Sequence, residues 1–563
     1  MSREEQILAA FANGGVTRAQ FIRRAAQLGI TVSGASWLAA CGGSSSGGGG
    51  AGGGGGGGGG GSRLTMAVAA TPTTLDPEFS SSPQDREIDV AIYDRFTQFK
   101  ILEEDGIRQA DLKSPPEPLL ADSWEVSDGN KRYTFQLKQG VKSYFGNELT
   151  AEDVVWSWDR VFEQQSQGLF PLGVSSVEQG SYKAVGKYTV EVNLSSANPL
   201  LPIVLATPVP GAVIYDSTEV KKHATADDKW ARKWLARNTA SFGPYHATEY
   251  TPGQQAVFVA NPNYHGGKPK LAEIIYKEIP DPANRLSLLT TGGVDIVEDL
   301  SADLRNSLKG KAGVRVESVP GNLAIAFGLN NSMKPFDNPD VRRAVATALP
   351  IDEIISTVYF GDPTVRLFKG YVADTFPAYP DHWPYQPADP ERAKSLIAAA
   401  GASGTSFEIS YTTTYPEHEK VAQLIQTALE PTGLKAVLNK QTPAKYQEQY
   451  YSHKAQSVLV QDAAFVADSA YPLYLWFGAG KGAVGNWINY ANGPVQKQID
   501  EALAEPDLAK RETLGTEIGK RIVDDAPWAM YLGIGFHVPM RDNVRGFTWR
   551  PHNLIHFRDL SKE

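Results

Sequence analysis

Residues 407–412 read FEISYT, residues 417–429 read EHEKVAQLIQTAL and residues 435–438 read KAVL. Two short strands flanking a helical stretch form a βαβ unit, in which the crossover helix lets the strands run parallel. Working outward, Asn338-Pro339 opens a helix with Pro at its first position and Val341, Val345 and Leu349 on one face. Asp389-Pro390 opens another, ending at Gly401. The C-terminal half therefore reads as α/β. Further upstream, Val257-Phe258-Val259 and Ile274-Ile275-Tyr276 are short apolar strands, and Arg132–Leu137 alternates polar and apolar residues as a half-buried strand does. Thr150-Ala151-Glu152-Asp153 starts a helix in the manner of a capping box, with Val154, Trp158 and Phe162 on its apolar face. The region near 110–240 otherwise reads as irregular and rich in Pro, Ser and Tyr.

The N-terminus is of a different kind. Arg18, Arg23 and Arg24 precede an uncharged stretch from Ala25 to Ala40, and Leu38-Ala39-Ala40-Cys41 ends in the single cysteine of the 563 residues. The twenty residues from Gly42 to Gly61 contain only Gly, Ser and one Ala. A basic region, an apolar stretch shorter than the ~20 residues that span a bilayer, small residues and a cysteine make an export signal. The route stays open between the general and twin-arginine systems, because the Arg23-Arg24 pair follows Phe21. A Gly-rich coil of this length has an end-to-end distance of roughly 25 Å and suits a tether. It lacks the Lys-Ser/Thr pair of a phosphate-binding loop.

From Ser62 onward about 500 residues remain, enough for two or three domains. The chain holds 54 Lys/Arg and 63 Asp/Glu, of which residues 1–40 contain four and two, so the remainder carries 50 and 61, a formal charge of −11. No basic stripe is available to neutralise phosphates, which argues against a nucleic-acid partner. No further apolar run approaches membrane length, and stability must come from packed cores rather than disulfides.

Several motifs occur in a fixed order: LLADSWEV (119–126), LTAEDVVWS (149–157), FGPY (242–245), NPNYHGG (261–267), GGVDI (292–296), Asn330 with PFD (335–337), VRRA (341–344) and DPERAK (389–394). In that order the chain resembles the family 5 extracellular solute-binding proteins, the peptide and nickel class of ABC importers, over roughly residues 65 to 555. Leu38–Cys41 likewise resembles the lipobox of bacterial lipoproteins, in which the peptide bond before the cysteine is cut and its thiol carries diacylglycerol. Two acyl chains anchor stably where one does not. The resemblance implies a two-lobed α/β clamp with an extra inserted domain. Lobe I would comprise 63–110, 240–319 and 533–563, the inserted domain 111–239 packed on it, and lobe II 320–532, after a signal at 1–41 and a tether at 42–62. It implies peptide capture between the lobes by hinge closure, as a monomer, and delivery to a membrane permease with its ATPase subunits, without a cofactor.

The resemblance also implies an amine anchor. Relatives that bind oligopeptides use an Asp in a segment similar to ADSAYP (467–472), which carries that role to Asp468. Asp462 competes if the alignment slips. A buried ammonium needs a buried partner, and a charge-assisted hydrogen bond sets its register. Trp476, Trp487 and Tyr490 surround the segment, and Tyr415 follows a strand whose C-terminal end faces the cleft in an α/β lobe. Aromatic walls suit sugars as well, so an oligosaccharide or a nickel chelate stays open as cargo. Of the nine histidines, only His552 and His556 have a ligand-like spacing, without an acidic residue between them, and they read as surface or interdomain residues rather than a metal site. A secreted hydrolase would need a nucleophile or a carboxylate pair. Gly-x-Ser-x-Gly is absent, and the adjacent acids Glu103-Glu104 and Asp524-Asp525 point in different directions.

Overall fold

The computed structural model describes residues 62–563 apart from 81, 105, 465 and 480–484. The lipobox cysteine Cys41 and the Gly/Ser tether lie outside the described residues. The described residues from 62 to 563 belong to one unit, which contains every sheet.

Three sheets organise this unit. The first has seven strands in the order Tyr245–Thr251, Gln255–Ala260, Leu271–Glu278, Ser62–Val68, Ile296–Val297, Phe536–Arg541 and Val314–Val319. Ser62–Val68 runs parallel to both of its neighbours. The second has six, in the order Arg366–Leu367, Trp528–Gly533, Ala324–Leu329, Ser457–Asp462, Ser406–Thr412 and Lys435–Gln441. The βαβ unit is present: Ser406–Thr412 pairs in parallel with Lys435–Gln441 along its whole length, joined through helix Pro416–Leu429. Both strands around Ala324–Leu329 are antiparallel to it, and its six residues are all buried, as a central strand requires.

The chain passes between these two sheets twice, at residues 320–323 and at 534–535, since every strand between Ala324 and Gly533 belongs to the second sheet. Two short crossings side by side make a hinge, and the bodies they join are the two lobes.

The stretch expected to be irregular contains a third sheet, four antiparallel strands in the order Ala121–Ser127, Arg132–Leu137, Thr189–Asn193 and Tyr182–Gly186. Its Pro and Ser residues fall mainly in connections. The period-2 signal sits in short runs such as Tyr133, Phe135, Leu137 and Val190, Val192, all buried. Helix Ala151–Gln164 lies against this sheet. The Asp153 carboxylate accepts the backbone N–H and hydroxyl of Thr150 (2.8 and 3.0 Å), closing the first turn. On the same helix, buried Arg160 forks onto Asp76, which also accepts the Tyr215 hydroxyl (2.9 Å). This ion pair fastens the inserted segment to a first-lobe turn. Helix Pro339–Ala348 buries Val341 and Val345, with Leu349 as its cap. Helix Pro390–Ala399 ends just before Gly401, whose φ of 66° suits a residue without a Cβ.

Candidate functional site in the interlobe cleft

In parallel sheets the loops after the strand ends gather at one edge, where the next helices begin. In the second lobe this edge carries Tyr415, three residues past Ser406–Thr412, and Asp462, the last residue of Ser457–Asp462. In the first lobe it carries Ala69 and the Glu298-Asp299 pair, with helix Pro83–Ile92 beside them. The Asp299 carboxylate accepts from the Ala69 N–H and from Gln84 (both 3.3 Å). The two edges face each other. Arg86 of the first lobe lies in the field of Asp89 and Asp85 of its own lobe and of Asp462 of the second, and Asp299 acts on Tyr415. The lobes also touch directly: the Ala302 N–H donates to Glu417 (2.8 Å) and Lys420 pairs with Asp303 (2.6 Å).

Asp462 is the electrostatic centre. Its carboxylate accepts from the Ala463 N–H (2.8 Å) and, more weakly, from the Trp476 indole (3.4 Å). Burial raises its pKa to about 6, and those hydrogen bonds and Arg86 pull it back only in part. Part of the side chain still opens onto a cavity of about 360 Å3 lined by Tyr415, Tyr446, Tyr450, Tyr451, Asp462 and Leu475.

The expected site residues separate into two groups. Tyr415 lines this cavity, and Trp476 reaches Asp462 through its ring nitrogen. Trp487 and Tyr490 belong instead to the lobe II core. Trp487 stacks on Trp528 (5.5 Å, 14°) so close to Gly328 that a Cβ there would lie 2.1 Å from its ring. The Tyr490 hydroxyl is spent on Asp525 (2.7 Å).

Asp468 needs a firmer correction. It is 3% exposed, and both oxygens are committed to the fold. One accepts the Ala470 and Tyr471 N–H groups (3.0 and 2.6 Å) at the start of helix Tyr471–Phe477, and a guanidinium N–H of Arg511 (3.1 Å). The other accepts Arg511 Nε (2.7 Å). A carboxylate neutralised by a fully buried arginine has no charge left to offer a ligand amine. Asp462, the competing residue, is the one whose side chain opens onto a cavity.

His556 is buried rather than superficial. Desolvation and the charges of Arg550, Arg558 and Arg95 hold it neutral, with a pKa far below the ordinary value. Among the described residues, no group of three or more His, Cys, Asp or Glu is placed to hold a metal ion.

Sequence reading missed Arg86 and the tyrosines of helix Pro443–Tyr451. Tyr446 and Tyr450 stand four residues apart, on one face of a helix that buries no residue fully. An aromatic i, i+4 pair on an otherwise polar helix was the available signal.

The model of the bacterial extracellular solute-binding proteins, family 5, matches residues 115–483. The chain belongs to that family. Among family relatives, it is 29% identical over 504 residues to the probable D,D-dipeptide-binding periplasmic protein DdpA of Escherichia coli, covering 89% of this chain and 94% of the relative. Among solved structures, the fold is shared with the periplasmic binding protein DppA of Helicobacter pylori in complex with the peptide STSA (TM-score 0.75, 23% identity, 89% and 98% of the two chains). It is shared equally with NikA of Brucella suis in complex with Fe(III)-EDTA (TM-score 0.77, 21% identity, 89% and 100%). Members of this family are two-lobed binding proteins, and the two sheets with their paired crossings are that architecture. A fold that holds a peptide in one protein and an iron chelate in another does not by itself name a cargo.

Proposed function

We propose that this family 5 protein is the capture component of an ABC importer and that its cargo is a peptide, held between the lobes and handed to a membrane permease. The observation that carries the cargo reading is Asp462, a carboxylate at the cleft edge of lobe II whose side chain opens onto a cavity lined by tyrosines. A peptide carries ammonium groups, and one of them can meet Asp462; a ligand that engages both lobes at once favours the closed form over the open one. Kinship with a D,D-dipeptide-binding protein points the same way. In this reading Cys41 carries the lipid, the Gly42–Gly61 tether lets the body clear the membrane surface, and the chain works as a monomer. The residues expected to touch cargo are Asp462 and Tyr415, with Trp476 holding Asp462 in place.

The test is thermal unfolding of the full chain in detergent with a pool of free peptides, beside oligosaccharides and a nickel chelate. A ligand at ~100-fold above its Kd stabilises the folded state by about 2.7 kcal/mol, a visible midpoint shift. A shift with peptides alone supports the reading. A shift only with sugar or nickel keeps the clamp and removes the peptide.

A further inference from the structure

The cavity beside Asp462 has a composition that the general reading does not use. Tyr446 and Tyr450 lie nearly parallel (ring centroids 6.2 Å apart, 21°), and Tyr451 stands almost perpendicular to Tyr450 (5.0 Å, 83°), so the rings form the corner of a box. The Tyr446 hydroxyl is tied to the Leu459 carbonyl (2.8 Å), which fixes that ring. Behind them, Trp487 packs on Tyr450 (5.6 Å). Leu475 adds an apolar wall, and Asp462 supplies the carboxylate. The negative charge of Asp462 is felt by Tyr415, Tyr446 and Tyr450. Among the described residues, the protein's own cations stack on rings elsewhere, as Arg232 does over Phe79 (3.7 Å). Several electron-rich faces around one carboxylate make a site for a cation carried on an apolar stem, because ring faces attract positive charge and also cover methylenes.

Size decides between two sources of that cation. An ammonium group is about as large as a water molecule, whose share of volume is roughly 30 Å3. The cavity, about 360 Å3, is an order of magnitude larger. A peptide's α-ammonium sits directly on its backbone and would leave most of that space empty. A lysine-like side chain occupies more of it and lays its methylenes along the rings.

Resting on the reading that this cleft is the ligand site, we infer that the tyrosine pocket of lobe II selects cargo bearing an alkylammonium side chain, with Asp462 as its counter-charge and Tyr415, Tyr446 and Tyr450 as its walls.

The test is calorimetric titration of the full chain in detergent with tripeptides carrying lysine, trimethyllysine or the uncharged isostere norleucine at one position, each with a free and an acetylated N-terminus. Alongside, n-butylammonium is compared with n-butanol for its effect on the unfolding midpoint of the native chain and of Asp462→Asn and Tyr450→Leu. Expected is a loss of about 30-fold on replacing lysine by norleucine, the order a desolvated cation–π and carboxylate contact supplies. That loss should be independent of acetylation and several-fold smaller in Asp462→Asn, and Tyr450→Leu should weaken the trimethyllysine peptide most. Should Asp462→Asn not fold, Tyr450→Leu and the isostere series carry the test. Equal binding of lysine and norleucine peptides, with acetylation abolishing both, places the α-ammonium at Asp462 and overturns the inference while leaving peptide capture intact. A midpoint raised by n-butylammonium in the native chain but not in Asp462→Asn, with no peptide bound, upholds the cation pocket and removes peptide as cargo. No response to peptides or to n-butylammonium overturns both.

Discussion

The Asp468–Arg511 pair is a residue-scale feature whose role separates cleanly from ligand binding. Removing one partner of a buried ion pair strands the other charge, at a cost of about 3–5 kcal/mol. Arg511 also donates to the carbonyls of Ala502 and Leu503 (2.7 and 2.8 Å). Arg511→Ala and Asp468→Ala should therefore each lower the unfolding free energy of the ligand-free protein by several kcal/mol in urea. Unchanged ligand-free stability in Asp468→Ala, together with lost ligand binding, would restore Asp468 as an anchor. A second residue-scale prediction concerns Glu87 and Glu298. Glu87 accepts the Tyr276 hydroxyl and the Ile555 N–H (both 3.0 Å), and its pKa is raised, chiefly by burial, to about 7. Glu298 is also held well above its ordinary value, by burial and by the charges of Glu87 and Asp299, while Arg285 opposes this. Acids with raised folded-state pKa values hold protons that the unfolded chain has already released, so stability falls as pH rises from about 4.5 through 7. Glu298→Gln should match the native protein near pH 5 and exceed it at pH 8. Parallel denaturation midpoints at the two pH values would show that the pair is not a source of this dependence.

At the scale of elements, the start of helix Ala151–Gln164 joins two pieces of the inserted segment. One oxygen of Asp153 caps the helix at Thr150, and the other accepts the Ser217 N–H (3.0 Å). Asp153→Ala loses the cap and orphans a buried N–H, and should cost roughly 2 kcal/mol. A loss under ~0.5 kcal/mol in chemical denaturation would mean that water replaces both bonds. Elements with a strong local signal were legible in the sequence. The Pro-initiated helices at 339 and 390, the strand at 132–137 and the βαβ unit around 407–438 all carry caps, turns or periodicity within a dozen residues. The strands Ala121–Ser127 and Tyr182–Gly186 were not. Mostly exposed, they carry little period-2 hydrophobicity, and only pairing across the sheet makes them strands.

For the whole molecule, closure depends on the two crossings between the sheets. Gly535 lies in the second, with φ 68°, and a Cβ there would come within 2.3 Å of the Thr364 hydroxyl oxygen. Gly321 lies in the first, where a Cβ would meet Asn553 at 2.6 Å. Gly535→Val should therefore lower stability and weaken ligand binding at least tenfold, and the compaction on ligand addition seen by small-angle scattering should shrink. Native-like affinity and compaction would mean that the crossing at 534–535 tolerates a side chain and that closure pivots elsewhere.

The amino-acid sequence by itself determined the α/β class, the family through its ordered motifs, and the expectation of an export signal with a lipid-bearing cysteine. These rest on local periodicity and on residue types at short spacing, which chain order preserves. Only the tertiary structure distinguishes the two acids, one opening onto a cavity and the other paired with an arginine. Asp462 and Asp468 are six residues apart and alike in sequence, and what distinguishes them is Arg511, 43 residues beyond Asp468. The same holds for the aromatics. Trp487 and Tyr415 look equally suited to a pocket until Trp528 covers the first and leaves the second beside Asp462. Burial and charge pairing are set by contacts between distant segments, and these exist only once the lobes have folded and met.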